Sequence, residues 1–243
     1  MIPKVIHYCW FGGNPLTELA KKCIASWKKY CPDYEIIEWN ESNYDVTKCK
    51  YMYEAYQSKK WGFVPDYARL DIIYNHGGVY LDTDVEIIRP IDDLLEYDGF
   101  AGIENNSQNV ALGLGFGAKK ELPIIKMLRD HYDELLFLEN GNMNLTPAPI
   151  INTLVLSKNG YVFSEKIHTF SSMMIFPSEY FCPVDMKTGK VNKTENTYSI
   201  HHYAASWCDK GSKFRGKIYR ALNRFFGEKV ANAARKVFGK RKK

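Results

Sequence analysis

Asp82 and Asp84 stand two residues apart in the run Gly77-Gly78-Val79-Tyr80-Leu81-Asp82-Thr83-Asp84-Val85. Residues two apart on an extended backbone point the same way, so both carboxylates face one spot. Two like charges that close need a positive partner, and a divalent cation supplies one through oxygen ligands. A cation held this way can grip a diphosphate and neutralise charge that develops on it. Asp-x-Asp alone is a weak signal, because aspartates also serve as ordinary turn residues. The setting strengthens it: Val79-Tyr80-Leu81 reads as a short buried strand that delivers the pair, with two glycines ahead of it.

Three further groups carry side chains suited to the same chemistry. Asp66 and Arg69 are spaced i, i+3 on a helical pattern, hence on one face. As a plain surface ion pair they would contribute little. As a functional pair, the carboxylate accepts hydroxyl hydrogen bonds while the guanidinium holds it and helps with developing phosphate charge. His201 and His202 are adjacent on a strand-like segment and so point to opposite faces; at most one can join the aspartates. An imidazole suits a divalent transition metal such as manganese. Trp207 has an indole N–H to donate, and Trp10, in Ile6-His7-Tyr8-Cys9-Trp10, has a face on which a nucleobase can stack. Both tryptophans also fit a plain core role.

The elements that must position these groups alternate along the chain. Lys4–Tyr8 and Tyr34–Trp39 read as strands, and Pro15–Tyr30 between them as a helix with apolar residues near 3.6-residue spacing. Lys50–Ser58 and Val64–Asn75 read as helices, the second stopped by His76-Gly77-Gly78. Val79–Leu81, Val85–Ile88, Phe100–Ile103, Val110–Gly117, Met173–Phe176 and Tyr198–Tyr203 read as strands, and Pro123–Leu136 and Pro147–Leu156 as helices. This alternation predicts a mixed α/β sheet with helices on both faces, in which ligands bind past the carboxyl ends of strands. Asp82 and Asp84 lie at such an end.

Four motifs in order resemble the bacterial glycosyltransferases with a DXD sugar-binding region (family GT32). That family is akin to the yeast initiating mannosyltransferases and, more distantly, to the clostridial glucosylating toxins. The motifs are Ile6-His7-Tyr8-Cys9-Trp10, Asp66-x-x-Arg69, Gly77-Gly78-Val79-Tyr80-Leu81-Asp82-Thr83-Asp84 and His201-His202-x-x-x-Ser206-Trp207. The resemblance covers about residues 1–207 and is far more specific than any one motif. It implies a GT-A fold (Rossmann-like, a nucleotide-diphospho-sugar transferase sheet), a nucleotide-sugar donor with UDP-hexose favoured, and Mn2+ or Mg2+. The implied activity is retaining hexosyl transfer to a saccharide acceptor, in capsular or exopolysaccharide synthesis. By position, Trp10 would stack on the base, Asp66 and Arg69 would hold the donor sugar, and Asp82 would contact ribose and metal. Asp84 would ligate the metal directly, His202 would complete the metal site, and Trp207 would contact the diphosphate.

Composition bounds the rest. The 243 residues are 45% hydrophobic and 14% aromatic, enough for one substantial core. Six cysteines at irregular spacing form no C-x-x-C pair, so reduced, buried thiols are expected rather than a zinc site or a disulfide framework. Residues 213–243 carry 12 basic side chains and one acid, whereas the rest of the chain carries 21 basic and 27 acidic ones. The boundary drawn from this is a transferase domain over 1–210 and a basic amphipathic tail over 211–243. Ile218, Leu222, Phe225 and Phe226 form an apolar stripe in the tail, and Gly227 separates two short helices. An acidic body with such a tail points to an anionic membrane surface and away from nucleic acid. The first residues enter a strand-like run with neither a charged n-region nor an apolar h-region, which leads to the expectation of a cytoplasmic protein at the inner face of the plasma membrane. A lipid-linked acceptor, possible as an undecaprenyl saccharide, would explain that location. Asp82-Thr83-Asp84-Val85 also fits the D-x-D-x-[TV] pattern of Mg2+-dependent phosphatases, whose later acidic pair Asp92-Asp93 does not supply at the right spacing. An inactive sugar-binding protein is the non-enzymatic alternative.

Overall fold

Strand β1 (Val5–Cys9) is the middle of the first structural unit. Helix α1 (Glu18–Tyr30) follows, started by the Thr17 side chain accepting from Ala20 N, and it buries Ala20, Cys23 and Trp27 along one stripe. It leads to β2 (Glu35–Trp39), which pairs parallel with β1, Val5 opposite Glu35. Helices α2 (Lys50–Gln57) and α3 (Pro65–His76) come next. Pro65 opens α3 where no N–H is needed, and Gly77 and Gly78 close it at φ 69° and 100°. A Cβ at Gly78 would lie 2.8 Å from the Val5 carbonyl, so only glycine fits there.

The chain then runs through β3 (Gly78–Tyr80), β4 (Val85–Ile87), β5 (Gly99–Gly102), β6 (Phe116–Ala118) and α4 (Pro123–Asp130). It continues through the hairpin β7 (Leu138–Glu139) and β8 (Asn142–Met143), then α5 (Ala148–Lys158), β9 (His168–Phe170), β10 (Met173–Phe176), α6 (Ser178–Phe181), β11 (Ser199–His201) and α7 (Lys210–Gly239). Helix α7 is broken at Gly227, φ 81°. The computed structural model describes residues 1–105, 107–204 and 210–239. No helix among them is long and apolar enough to cross a membrane.

Seven strands form one sheet in the order β2-β1-β3-β6-β5-β10-β9, and β4 pairs antiparallel with β11 in a small second sheet. Only β6 and β9 oppose the rest of the main sheet, so β1, β3, β5 and β10 end at the same edge. Alternate side chains of β3 separate two cores. Tyr80 joins the one that holds α2 to α5, with Tyr51, Leu70, Phe116 and Ile151. Val79 joins the one under α1, with Ile6, Trp27, Leu94 and Phe100.

The strands and helices expected around both motif groups are present with ends shifted by a few residues. Two expectations need correction. Val110–Gly117 is not one strand: Leu112–Leu114 forms a 3-10 turn and only Phe116–Ala118 pairs. The expected helix Pro123–Leu136 ends at Asp130 and tightens into a 3-10 turn over His131–Glu134. The short hairpin, β9 and α6 had no periodic signal long enough to read. The five described cysteines are buried and unpaired, as expected.

His7 ties the β1 to the turn ahead of the aspartates. Its Nδ1 accepts from the Trp39 indole at 3.0 Å, and its Nε2 lies 3.0 Å from the Gly77 carbonyl. The indole can only donate, so Nε2 carries the proton and the ring is neutral with both nitrogens used. Burial pushes its pKa down to about 4. The unfolded chain, with an ordinary histidine, takes up a proton first as pH falls; stability is therefore full above about pH 6.5 and is lost down to about pH 4. The expected loss is about 3 kcal/mol from this group. Urea unfolding at pH 7.5 and 4.5, compared between the wild type and His7→Asn, checks it: the variant should show a shallower pH dependence, and equal slopes would contradict the assignment.

Candidate functional site

Pairing of β3 with β1 continues one residue past Tyr80, with Leu81 N donating to His7 O at 3.1 Å. The chain then turns, closed by Val85 N to Asp82 O at 3.0 Å, and Asp82 and Asp84 project from the turn. The return partner is β11, whose last residue, His201, sits opposite Val85. That register places His201 Nε2 3.0 Å from Asp84 Oδ1. Tyr203, at φ 49°, bends the backbone so that Ala204 N donates to the other oxygen, Asp84 Oδ2, at 2.8 Å. Burial opposes ionisation of Asp84, but His201 and the Ala204 N–H outweigh it and hold the carboxyl at about 2. Burial likewise opposes the charge on His201, and Asp84 reverses this and raises its pKa.

Arg69 faces the same spot from the first turns of α3. Its Nη2 lies 2.9 Å from Asp66 Oδ1 and 3.4 Å from Asp82 Oδ1, and its Nε donates to the Pro65 carbonyl at 3.0 Å. The guanidinium also sits over the Tyr80 ring, 5.2 Å from its centre. Asp66 and Arg69 are each only 6% exposed at the side chain, so this is no weak surface pair. Burial pushes Asp66 up to about 7, with Arg69 pulling against it.

The 3-10 turn at Leu112–Leu114 packs under this cluster. Gly113 O accepts from Asp82 N at 3.4 Å. A Cβ on Gly113 would collide with Asp82 Oδ2 and come 3.0 Å from Arg69 Nη1. Gly113 therefore permits the approach of the aspartate to the arginine.

The ligand atoms of Asp82, Asp84 and His201 lie within 4.8 Å of one another. Two carboxylates and an imidazole suit a divalent cation. The His201 Nδ1 is buried without a hydrogen-bond partner. The expectation for His202 is corrected here: its Nε2 is 2.7 Å from Glu86 Oε2, which also takes Lys22 at 2.8 Å. Strand alternation puts the two histidines on opposite faces, and the β4–β11 register turns His201, not His202, toward the aspartates. Trp10 is half-buried just past the end of β1, with its indole N–H donating to Asn14 O at 2.5 Å. Trp207 lies outside the described residues. Asp92 pairs with Lys4 at 2.8 Å, and Asp93 with Arg89 at 3.4 Å. Sequence reasoning missed His201, Gly113 and the Ala204 N–H; only the first had a signal, and choosing between neighbours needs the strand register.

Residues 17–101 match the family model described as a glycosyltransferase sugar-binding region containing a DXD motif. The matched stretch holds Asp66, Arg69, Asp82 and Asp84. Inositol phosphoceramide mannosyltransferase 3 of Schizosaccharomyces pombe is 32% identical over 129 residues, 47% of this chain and 35% of that protein. The mannosyl phosphorylinositol ceramide synthase SUR1 of Saccharomyces cerevisiae is 25% identical over 198 residues, 72% of this chain and 50% of that one. The chain thus spans about a third to a half of the length of these curated relatives. Among solved structures, the PaToxG glycosyltransferase superposes with a TM-score of 0.50 at 19% identity, covering 65% of this chain and 70% of that one. The resemblance to DXD glycosyltransferases and the GT-A fold expected from the motifs are both met.

A Mn2+ titration followed by electron paramagnetic resonance tests the grouping. His201→Asn should weaken binding at least about ten-fold and Gly113→Ala by a similar factor, while His202→Asn stays within about two-fold. Loss of binding in the His202 variant alone would reverse the assignment.

Proposed function

We propose that this protein is a retaining glycosyltransferase that moves a hexose from a nucleotide sugar, with UDP favoured, to a saccharide acceptor. The observation that supports this most is the convergence of Asp82, Asp84 and His201 beside the buried Asp66–Arg69 pair at the carboxyl edge of the sheet. A divalent ion, Mn2+ or Mg2+, would be held by Asp82, Asp84 and His201. When bound it neutralises charge on the diphosphate.

The remaining work falls to the chain. Arg69 is fixed by Asp66 and the Pro65 carbonyl, so its charge is aimed before a substrate arrives. Asp66 accepts hydrogen bonds from hydroxyls of the donor sugar while it holds Arg69. Trp10 offers its ring to the base, and Trp207 its indole to the diphosphate. In the front-face course, the bond from the anomeric carbon to the phosphate oxygen breaks, the acceptor oxygen bonds that carbon, and the departing phosphate takes the acceptor's proton. Asp82, Arg69 and Asp84 act on the leaving side of this exchange.

We assign the acceptor to a lipid-linked saccharide, undecaprenyl-linked in capsule or exopolysaccharide assembly, reached by the protein from the cytoplasmic face of the membrane. Two of the relatives bear the names of enzymes that act on ceramide lipids. The tail supports the same reading by its orientation. Asn223 is buried and donates to the Lys187 carbonyl at 3.2 Å, and Glu228 pairs with Lys187 at 3.2 Å. Phe214 and Phe225 are eleven residues apart, three helical turns, and point away from that contact with 66% and 74% exposure. Ile218 and Leu222 are half-buried beside that contact, while the two phenylalanines remain exposed on a segment that carries 12 basic residues.

Two measurements test these readings. Purified protein with Mn2+ and a panel of UDP- and GDP-sugars should release free nucleotide from one donor, and Asp84→Asn should lower that release at least about 100-fold. Undiminished release by a folded variant would remove Asp84 from the site. Flotation with phosphatidylglycerol vesicles should recover the protein, whereas pure phosphatidylcholine vesicles should not, and a Phe214→Ser/Phe225→Ser variant should bind at least about ten-fold more weakly. Equal flotation of the variant would show that this face is not the lipid contact.

A further inference from the structure

A cleft of about 530 Å3 opens at the same sheet edge as the aspartates, past the ends of β5 and β10. Its walls are Ile103 to Gln108 after β5, Phe163 to Glu165 after α5, and Pro177 to Glu179 after β10, Asn106 lying outside the described residues. Strand β6 alone separates β5 from β3, so the cleft lies about 10 Å along the edge from the end of β3, two strand spacings away. The partition between the two is built from Tyr203. Its ring packs against His201 with centres 4.2 Å apart, its hydroxyl is 2.8 Å from Cys182 Sγ, and its pKa is raised by burial first and then by the nearby charges of Cys182 and of Glu104 in the cleft wall. One tyrosine therefore touches the histidine of the aspartate cluster and feels the carboxylate charge of Glu104 in the cleft wall.

The chemistry of the lining is one-sided. Glu104, Glu165 and Glu179 bring carboxylates, and Asn105 and Gln108 bring amides. Three serines add hydroxyls, Phe163 contributes an aromatic face, and among the described residues neither lysine nor arginine lines the cleft. Such a wall has many hydrogen-bond acceptors and donors for a polyol and an apolar face for a sugar ring, but nothing to offset a phosphate or carboxylate. The cleft is therefore unsuited to the diphosphate of a donor, whose charge Arg69 already faces.

We propose that this cleft receives the acceptor saccharide, and that the sugar bound there is neutral or amine-bearing rather than acidic. The inference rests on the transferase reading above and adds the class of acceptor and its place. A volume of about 530 Å3 takes a disaccharide, and the step of about 10 Å sets its reactive end beside Tyr203 and the aspartate turn.

Saturation-transfer NMR on the full chain with Mg2+ and UDP tests this with three probes: a neutral disaccharide (lactose), a cationic one (the glucosamine dimer) and an anionic trisaccharide (sialyllactose). The first two should show transfer and the third none. Glu165 is exposed, so Glu165→Lys should fold normally, and it should shift the preference between cationic and anionic probes at least about five-fold toward the anionic one. Phe163→Ala should weaken the neutral probe in parallel. Transfer to no probe, preference for the anionic one in the wild type, or an unmoved preference in Glu165→Lys would each overturn the proposal. A UDP titration of the wild type with Mg2+ reports on the donor site separately: failure there with saccharide binding intact overturns the transferase reading and leaves the cleft a saccharide site.

Discussion

The site depends on one buried cation. Arg69 sits between Asp66 and Asp82 and is itself anchored to the Pro65 carbonyl. Without it, the neighbourhood would hold Asp66, Asp82 and Asp84 with only His201 to offset them, and burial would drive the carboxylates to their neutral forms. The arginine is buried because α3 is pressed into the core on nearly every side, with Leu70, Ile72 and Ile73 fully covered. The helix stops abruptly at two glycines, one of them too close to Val5 for any side chain. The same turn that ends α3 begins β3, so the arginine and the aspartates are positioned by one continuous stretch of chain.

The two aspartates live under different conditions although they are two residues apart. Asp84 is gripped on both oxygens, by His201 and by a backbone N–H, and stays ionised to about pH 2. Asp82 is raised by burial, with Arg69 pulling against it. A fully satisfied carboxylate is a rigid anchor, and a less satisfied one is poised to gain from a further positive group. That asymmetry is the expected state of a pair awaiting a cation between them.

Much of this was legible in the sequence, and the limits follow from physics. The aspartate pair, the Asp66–Arg69 pair and the strand that delivers the first are local patterns, each set by a period of two or of three to four residues. The alternation of elements gave the α/β sheet in the same way. What stayed hidden depends on register and on contacts far along the chain. Period two says that His201 and His202 face opposite ways, but only the pairing of β11 with β4 says which faces inward. Gly113 reads as one glycine in a rich run until the turn is seen pressed against Asp82. The run Val110–Gly117 looked like a strand because its apolar content is high; glycines at 113 and 115 let it coil into a 3-10 turn instead.

The charge partition of the chain has a structural counterpart. A tail with 12 basic residues beside a body with an acidic excess would be expected to collapse onto it through those charges. Among the described residues, one contact is of the other sense. The tail's single acid, Glu228, meets a basic residue of the body, Lys187, and a neutral amide, Asn223, donates to the Lys187 carbonyl. Exposed ion pairs of this kind contribute little to stability, so this seam orients the helix more than it holds it. Phe214 and Phe225 stay exposed on this segment, and it is on that exposure, together with the basic charge around it, that the proposed lipid contact rests.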